Sequence, residues 1–81
     1  MPRVGLSGQH REAADGAASL DIEASTIREL LAILVQRYPR MQRHLDEGLA
    51  VSINGEIYRD NRDMVIPETA EVFLLPRIQG G

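Results

Sequence analysis

The sequence predicts an α+β domain in which one main helix, at about residues 27–38, packs on a sheet of four to five strands. Three observations lead to this prediction. One segment carries apolar residues at helical spacing, several short segments have the apolar patterns of strands, and the chain has only 81 residues. A chain of this length supports one hydrophobic core, so the helix and the sheet should form two layers of a single domain.

The main helix is the clearest element in the sequence. Its apolar residues recur at the spacing of one buried helical stripe. They are Ile27, Leu30, Leu31, Leu34, Val35 and Tyr38. Thr26 and Glu29 form a capping-box pattern at its start. Pro39 disfavours helical geometry at Tyr38, so the helix should end there. A shorter helical turn is expected over residues 40–45.

Five short segments have the apolar patterns of strands. They cover residues 3–6, 18–23, 49–53, 56–58 and 71–75. Asn54 and Gly55 tolerate positive φ and therefore predict a tight turn between the third and fourth of these strands. We expect Pro76 to end the last strand, because proline has no N–H to donate to the ladder. Gly5 weakens the first strand, and the polar residues 8–17 that follow it predict a loop.

The last strand predicts an apolar surface on the open face of the sheet. Val72 and Leu74 should lie on one face of this strand, because successive side chains point to opposite faces. Phe73 and Leu75 should then lie on the other. A single helix covers only one face of a sheet. If that face carries Val72 and Leu74, two large apolar side chains remain uncovered, which is typical of a surface that binds a partner.

The composition disfavours several classes of protein. Nine Arg and no Lys stand against 12 Asp and Glu, so the net charge is −3 at pH 7, whereas a nucleic-acid-binding protein would normally carry an excess of positive charge. The chain has no Cys, which excludes a disulfide scaffold, a thiolate metal site and a cysteine nucleophile. Its longest apolar run, residues 30–35, is far too short to span a membrane, and no secretory signal is present. We therefore expect a cytoplasmic protein that binds neither nucleic acid nor membrane.

The polar residues do not predict catalysis by this chain alone. No nucleophile stands at a readable spacing from a base, and no glycine loop could hold a phosphate. His10 and His44 lack a second ligand at metal spacing, so we predict two surface histidines and no metal site. Arg37, Arg40 and Arg43 cluster after the helix and predict a solvated face. We expect no bound cofactor.

The end of the chain, Gly80-Gly81, follows closely behind the last strand. Glycine has no Cβ, so we predict a domain at residues 1–76 and a flexible tail at 77–81 that can enter a narrow channel in a partner. Such a tail suits activation of the terminal carboxylate, which becomes an acyl donor only after conversion to a mixed anhydride such as an acyl-adenylate. The partner would use ATP for this step, while the sheet face would supply binding energy far from the reacting atom.

Four short motifs occur in a recognisable order and spacing. They are Arg11-Glu12-Ala13-Ala14, Thr26-Ile27-Arg28-Glu29-Leu30-Leu31, Val51-Ser52-Ile53-Asn54-Gly55-Glu56, and Glu71-Val72-Phe73-Leu74-Leu75-Pro76 running to Gly80-Gly81. Together they resemble the MoaD/ThiS-type sulfur carriers of the ubiquitin-like β-grasp superfamily, and most of all the molybdopterin synthase small subunit. The resemblance covers nearly the whole chain. It implies a mixed sheet whose first and last strands lie parallel at its centre.

The resemblance also implies a function and a set of partners. An E1-like adenylating enzyme would activate the Gly81 carboxylate, and a sulfur donor would convert it to a thiocarboxylate. A biosynthetic enzyme such as the molybdopterin synthase large subunit would then accept the sulfur. Phe73 and Leu75 would form the partner-binding face. The residues that would thread into the partner are Arg77, Ile78, Gln79 and Gly80. Molybdopterin synthesis is the first expectation, with thiamin, cysteine or another thiolation pathway as the alternatives.

Two other functions fit the same fold. The chain would be a ubiquitin-like modifier if Gly81 were joined to lysines of other proteins, although the absence of Lys prevents lysine-linked chains of the protein itself. It would be a β-grasp binding module if the terminal glycines were incidental. In all three cases the protein is a substrate or binding partner of enzymes and not an enzyme.

Overall fold

The computed structural model describes residues 1–76, which form one five-stranded sheet and three helices. The elements in chain order are β1 (Arg3–Gly5), α1 (Gly8–Ala13), β2 (Ser19–Asp21), α2 (Ile27–Arg37), α3 (Met41–Glu47), β3 (Leu49–Ile53), β4 (Glu56–Tyr58) and β5 (Glu71–Pro76). The strand order across the sheet is β2-β1-β5-β3-β4. β1 and β5 are parallel, and the other neighbouring strands are antiparallel. The α+β class and the parallel central pair are confirmed.

Helix α2 forms as its sequence predicts and covers one face of the sheet. The Thr26 hydroxyl accepts a hydrogen bond from the Glu29 N–H at 3.2 Å. The helix ends at Arg37, one residue before the predicted end, and Tyr38 leaves the helical region ahead of Pro39. Its buried residues are Ile27, Leu30, Leu31 and Leu34. They belong to one core cluster with the inward side chains of the sheet, which include Val4, Val51, Val72 and Leu74.

The prediction of a loop at residues 8–17 is wrong, because Gly8–Ala13 forms helix α1. The residues that α1 and its C-cap bury are His10, Ala13 and Ala14. Their spacing is that of a short helical stripe, but alanine and histidine are weak hydrophobic signals and the stripe is only one turn long. The chain leaves the helix through Asp15 and Gly16, which both have positive φ.

Four further elements have boundaries that differ from the predicted ones. Strand β1 ends at Gly5, one residue before its predicted end. Helix α3 extends to Glu47, beyond the turn predicted at 40–45. Strand β2 is shorter than predicted and covers only Ser19–Asp21. Strand β5 does not stop before Pro76, which pairs in register with Leu49. The ladder between β1 and β5 has already ended at this level, so Pro76 has a strand neighbour on one side only, and proline is tolerated at such edges.

The predicted turn between β3 and β4 is confirmed and also fixes β5. Asn54 and Gly55 have φ values of 49° and 90°. The Asn54 N–H donates to the Glu71 carbonyl, and the Asn54 side-chain oxygen accepts from the Glu71 N–H, both at 2.9 Å. This reciprocal pair holds the β3–β4 hairpin against the start of the central strand. Among residues 1–76, no helix has the length and apolar character needed to cross a bilayer.

Candidate partner-binding face

The sheet face opposite α2 carries exposed apolar side chains. The strand registers place one residue of each strand in a row across this face: Ser19, Gly5, Phe73, Ser52 and Ile57. The Phe73 side chain is 44% exposed and Ile57 is 56% exposed. On the opposite face, Val72 is 2% exposed and Leu74 is fully buried. The alternation predicted for β5 is therefore observed, with Phe73 on the open side.

Leu75 and Ile57 complete this surface. Leu75 lies on the same side of β5 as Phe73 and is half-buried, opposite Ala50 of β3. Ile57 is absent from the predicted face, although the two-residue turn after Ile53 fixes Ser52 opposite Ile57 and could have revealed it. We refer to Ile57, Phe73 and Leu75 as the apolar patch. That this patch binds a partner remains a prediction.

The Phe73 ring lies directly over Gly5. A Cβ atom on Gly5 would be 2.5 Å from Phe73 Cε2 and 2.6 Å from Cδ2, much closer than carbon atoms in van der Waals contact. The missing side chain therefore allows the ring to rest on the backbone of β1. Local sequence patterns identify Gly5 only as a weak point of β1, because they do not reveal the register that pairs Gly5 with Phe73.

We expect Gly5→Ala to move the Phe73 ring off β1 while changing the free energy of unfolding by less than about 1 kcal/mol. The ring lies at the surface and can rotate away, and Gly5 does not have the positive φ that would strain alanine. NMR signals of the ring and the denaturant midpoint measure the two effects. In a Phe73→Ala background the new methyl group meets no ring. An equal stability change in both backgrounds would therefore contradict the contact.

Charged side chains border the patch on one side. Arg3 Nε lies 3.8 Å from Asp21 Oδ1, and Glu71 pairs with Arg3 across β1 and β5. The Arg3 and Asp21 side chains are largely exposed, so their ion pair contributes little to stability. A polar rim beside an apolar centre is nevertheless the usual arrangement of a protein–protein interface.

The histidines are not the surface residues that the sequence predicts. His10 is 3% exposed and the His44 side chain 13% exposed. Their rings meet edge to face with centroids 5.0 Å apart, His10 on α1 and His44 on α3. The prediction fails because it treats the segment around His10 as a loop. Across residues 1–76, no group of three His, Asp or Glu side chains is placed to hold a metal ion.

The predicted tail residues lie outside the part of the chain that the structure describes. They are Arg77, Ile78, Gln79, Gly80 and Gly81. The described chain ends at Pro76, the last residue of the central strand, next to Leu49 at the start of β3. The apolar patch and the residue that precedes the predicted tail therefore belong to the same strand.

Comparisons with known proteins agree with this architecture. The sequence model of the ThiS family matches residues 4–81. The small archaeal modifier protein 1 (SAMP1) of Methanosarcina acetivorans is 24% identical, with 99% of this chain and 95% of that chain covered and a TM-score of 0.83. A chain of the Amycolatopsis orientalis BexX/CysO complex is 17% identical over all of both chains, with a TM-score of 0.81.

A third similar structure is the complex of subunits 1 and 2 of the molybdopterin-converting factor from Helicobacter pylori. One of its chains is 24% identical, with 99% of this chain and 97% of that chain covered and a TM-score of 0.70. Comparison with curated protein sequences gives no match. At these identities the structural likeness establishes the fold alone, which is the ubiquitin-like β-grasp fold.

Proposed function

This chain belongs to the ThiS family of sulfur carriers, and we propose that it carries sulfur on the carboxylate of Gly81. The observation that carries the proposal is the family match, which extends over the body of the domain and includes Gly80 and Gly81. In this role the chain is a co-substrate of other enzymes. The partner enzyme supplies the ATP site, and the chain supplies the group that is activated.

The proposed chemistry has two steps at the Gly81 carboxyl carbon. A carboxylate oxygen attacks the α-phosphorus of ATP on an E1-like enzyme, pyrophosphate leaves, and an acyl-adenylate forms. Hydrogen sulfide then attacks the acyl carbon, and AMP leaves with one of the former carboxylate oxygens. The product is a thiocarboxylate, which a biosynthetic enzyme accepts as its sulfur source. With no Cys in the chain, no thiol can hold the sulfur instead.

The fold supports this role by separating docking from chemistry. The apolar patch lies on a rigid sheet, and its central strand leads to the segment that would thread into the partner. Phe73 and Ile57 offer apolar area that can be buried against a partner. Binding energy from this face can position the tail without contact at the reacting atom. Two of the similar structures are complexes with another protein, which supports a docking role for this fold.

We propose molybdopterin synthesis as the pathway, with the large synthase subunit as the sulfur acceptor. The similarity to the molybdopterin-converting factor supports this choice, and the similarity to CysO keeps a cysteine pathway as the alternative. Thiamin synthesis and other thiolation pathways use the same carrier chemistry. The identity of neighbouring genes discriminates among them, because each pathway needs its own acceptor enzyme.

Incubation of the chain with its E1-like enzyme, ATP and sulfide is expected to raise its mass by one oxygen-to-sulfur exchange. The reason is that each activated Gly81 carboxyl group loses one oxygen to AMP and gains one sulfur. Intact-protein mass spectrometry measures the change, and the same mixture without ATP is the control. An unchanged mass with every adenylating enzyme encoded beside the gene would overturn the proposal.

A ubiquitin-like modifier is the second candidate, favoured by the similarity to SAMP1. In this case Gly81 forms an amide with a lysine of another protein. Because the chain has no Lys, single conjugation to a target is possible, but lysine-linked chains of the protein itself are not. Tagged protein recovered from its host would then carry high-mass adducts. Trypsin, which cleaves after Arg77, would leave an Ile-Gln-Gly-Gly remnant on the target lysines. Carriage of sulfur alone would leave no such adducts.

A further inference from the structure

Helices α1 and α3 meet where the buried His10 contacts the half-buried His44, beside the end of β5. His10 of α1 lies against His44 of α3 in an edge-to-face contact with a centroid distance of 5.0 Å. On its other side, His10 lies near the backbone carbonyl of Leu74, which is fully buried in β5. The pair thus lies where α1, α3 and β5 meet. Leu74, its neighbour in β5, is two residues before Pro76, the last described residue of the chain.

The His10 ring is poorly prepared to carry a charge. Its Nδ1 atom is buried and has no hydrogen-bond partner within residues 1–76. Burial lowers the pKa of His10 below its ordinary value, the neighbouring His44 lowers it further, and the Leu74 carbonyl opposes part of this shift. A second proton would therefore place an imidazolium where one N–H has no acceptor among the described residues and where the neighbouring His44 opposes the charge.

The surroundings of the pair offer little compensation for that charge. A surface cleft of about 530 Å³ adjoins the two rings, and Glu47 and Pro76 also line it. Glu47 is the one carboxylate among the described residues that line this cleft, and its Oε1 lies 3.7 Å from His44 Nδ1 and 3.8 Å from Arg43 Nε. The adjoining cleft contributes Glu12, Arg40 and Arg43. Of these neighbours, His44 is the one that lowers the pKa of His10.

Helix α1 depends strongly on this contact. It has only six residues, and its N-cap Ser7 makes no side-chain cap hydrogen bond. Arg40, the residue before α3, also bonds to the α1 segment. Its guanidinium donates to Asp15 Oδ1 at 2.6 Å and to the Glu12 carbonyl at 3.2 Å. These groups are exposed, so their contribution is small. Burial of His10, Ala13 and Ala14 is the main force that holds α1 in place.

We propose that His10 and His44 form an acid-sensitive contact that holds α1 against α3 and the end of β5 at neutral pH and opens on acidification. The opening is local. His10 is the only titratable side chain among the buried residues of the described chain, so the core beneath α2 does not respond to pH. It uncovers Leu74 and the cleft beside Pro76. The contact therefore controls whether α1 covers the end of β5, which precedes the proposed sulfur-carrying tail.

The direction of the pH dependence follows from the two pKa values of His10. In the open state His10 is solvated and has an ordinary pKa of about 6.5. In the closed state its pKa is lower. The closed contact is therefore fully stable above about pH 6.5, and it loses stability as the pH falls from there through the closed-state pKa. One such histidine can raise the opening constant by at most about tenfold per pH unit.

Hydrogen exchange of the full chain, followed by NMR at pH 7.5, 6.5 and 5.5, tests the proposal. The Ala14 N–H donates to the His10 carbonyl within α1, and the Tyr38 N–H donates to the Leu34 carbonyl at the end of α2. After division by the intrinsic exchange rate, opening at Ala14 is expected to increase by up to about tenfold over this range, whereas Tyr38 stays unchanged. Equal changes at both amides, or none at Ala14, would overturn the proposal.

The variant His10→Gln removes the titrating group and keeps a polar side chain of similar length. Opening at Ala14 is expected to become independent of pH in this variant, and a pH response like that of the native chain would contradict the assignment to His10. If His10→Gln releases α1 at every pH, the native chain still provides a test. Its His10 ring signals must titrate below pH 6.5, and a midpoint at or above that value would overturn the proposal. His44→Gln should raise that midpoint, because it removes the side chain that lowers the pKa of His10.

Discussion

Deletion of Gly81 is expected to reduce adenylation of the chain by at least about 100-fold while its affinity for the E1-like partner changes little. The carboxylate would be withdrawn by one residue, about 3.5 Å of extended chain, and a misplacement of about 1 Å already costs on the order of 100-fold in rate. We expect docking to be unaffected, because the apolar patch, the proposed docking surface, lies on the sheet and not in the tail. ATP–pyrophosphate exchange measures adenylation, and calorimetry measures affinity.

Gly80→Leu tests the same separation without moving the carboxylate. The larger side chain is expected to block entry into a narrow channel, because only glycine has no Cβ to clash with its walls. A smaller loss for Gly80→Ala would indicate a steric cause. Full adenylation after deletion of Gly81 would show that the carboxylate of Gly81 is not required, and it would contradict the proposed role of this residue.

The elements that sequence patterns predicted well are those with strong local signals. Helix α2 has a long apolar stripe, a cap at Thr26 and a stop at Pro39, and all three lie within a short stretch of chain. The turn at Asn54 and Gly55 likewise depends on two residues with positive φ. Helix α1 was missed because one turn with His10 and alanines buries too little apolar area to give a pattern. It is stable only against α3 and β5.

The candidate site shows the same division between local and long-range information. The period of two along β5 was sufficient to place Phe73 and Leu74 on opposite faces. The contributions of Gly5 and Ile57 required the order of strands across the sheet, which brings together residues far apart in the chain. The parallel pairing of β1 with β5 was expected from resemblance to a family, because no local pattern specifies which strands become neighbours.

Leu74→Ala is expected to lower the free energy of unfolding by about 2–5 kcal/mol, the usual cost of truncating a fully buried leucine. Small domains have free energies of unfolding of about 5–15 kcal/mol, so this variant should lose a large part of its stability. The side chain lies between the sheet and the helices in the same core cluster as Leu30 and Leu34. Urea unfolding followed by circular dichroism measures the loss.

Phe73→Ala is expected to affect partner binding more than stability, although Phe73 and Leu74 are adjacent in sequence. It should weaken binding to the E1-like partner by about 1–3 kcal/mol if Phe73 is the centre of the interface, and it should destabilise the domain less than Leu74→Ala does. Ser52→Ala, in the same row of the open face, is the matched control and should change either quantity by less than about 0.5 kcal/mol. The assignment of the faces would be wrong if Phe73→Ala unfolded the domain and Leu74→Ala left a stable protein that no longer bound its partner. Because β5 alternates strictly, that result would require a register shifted by one residue, which the reciprocal hydrogen bonds between Asn54 and Glu71 oppose.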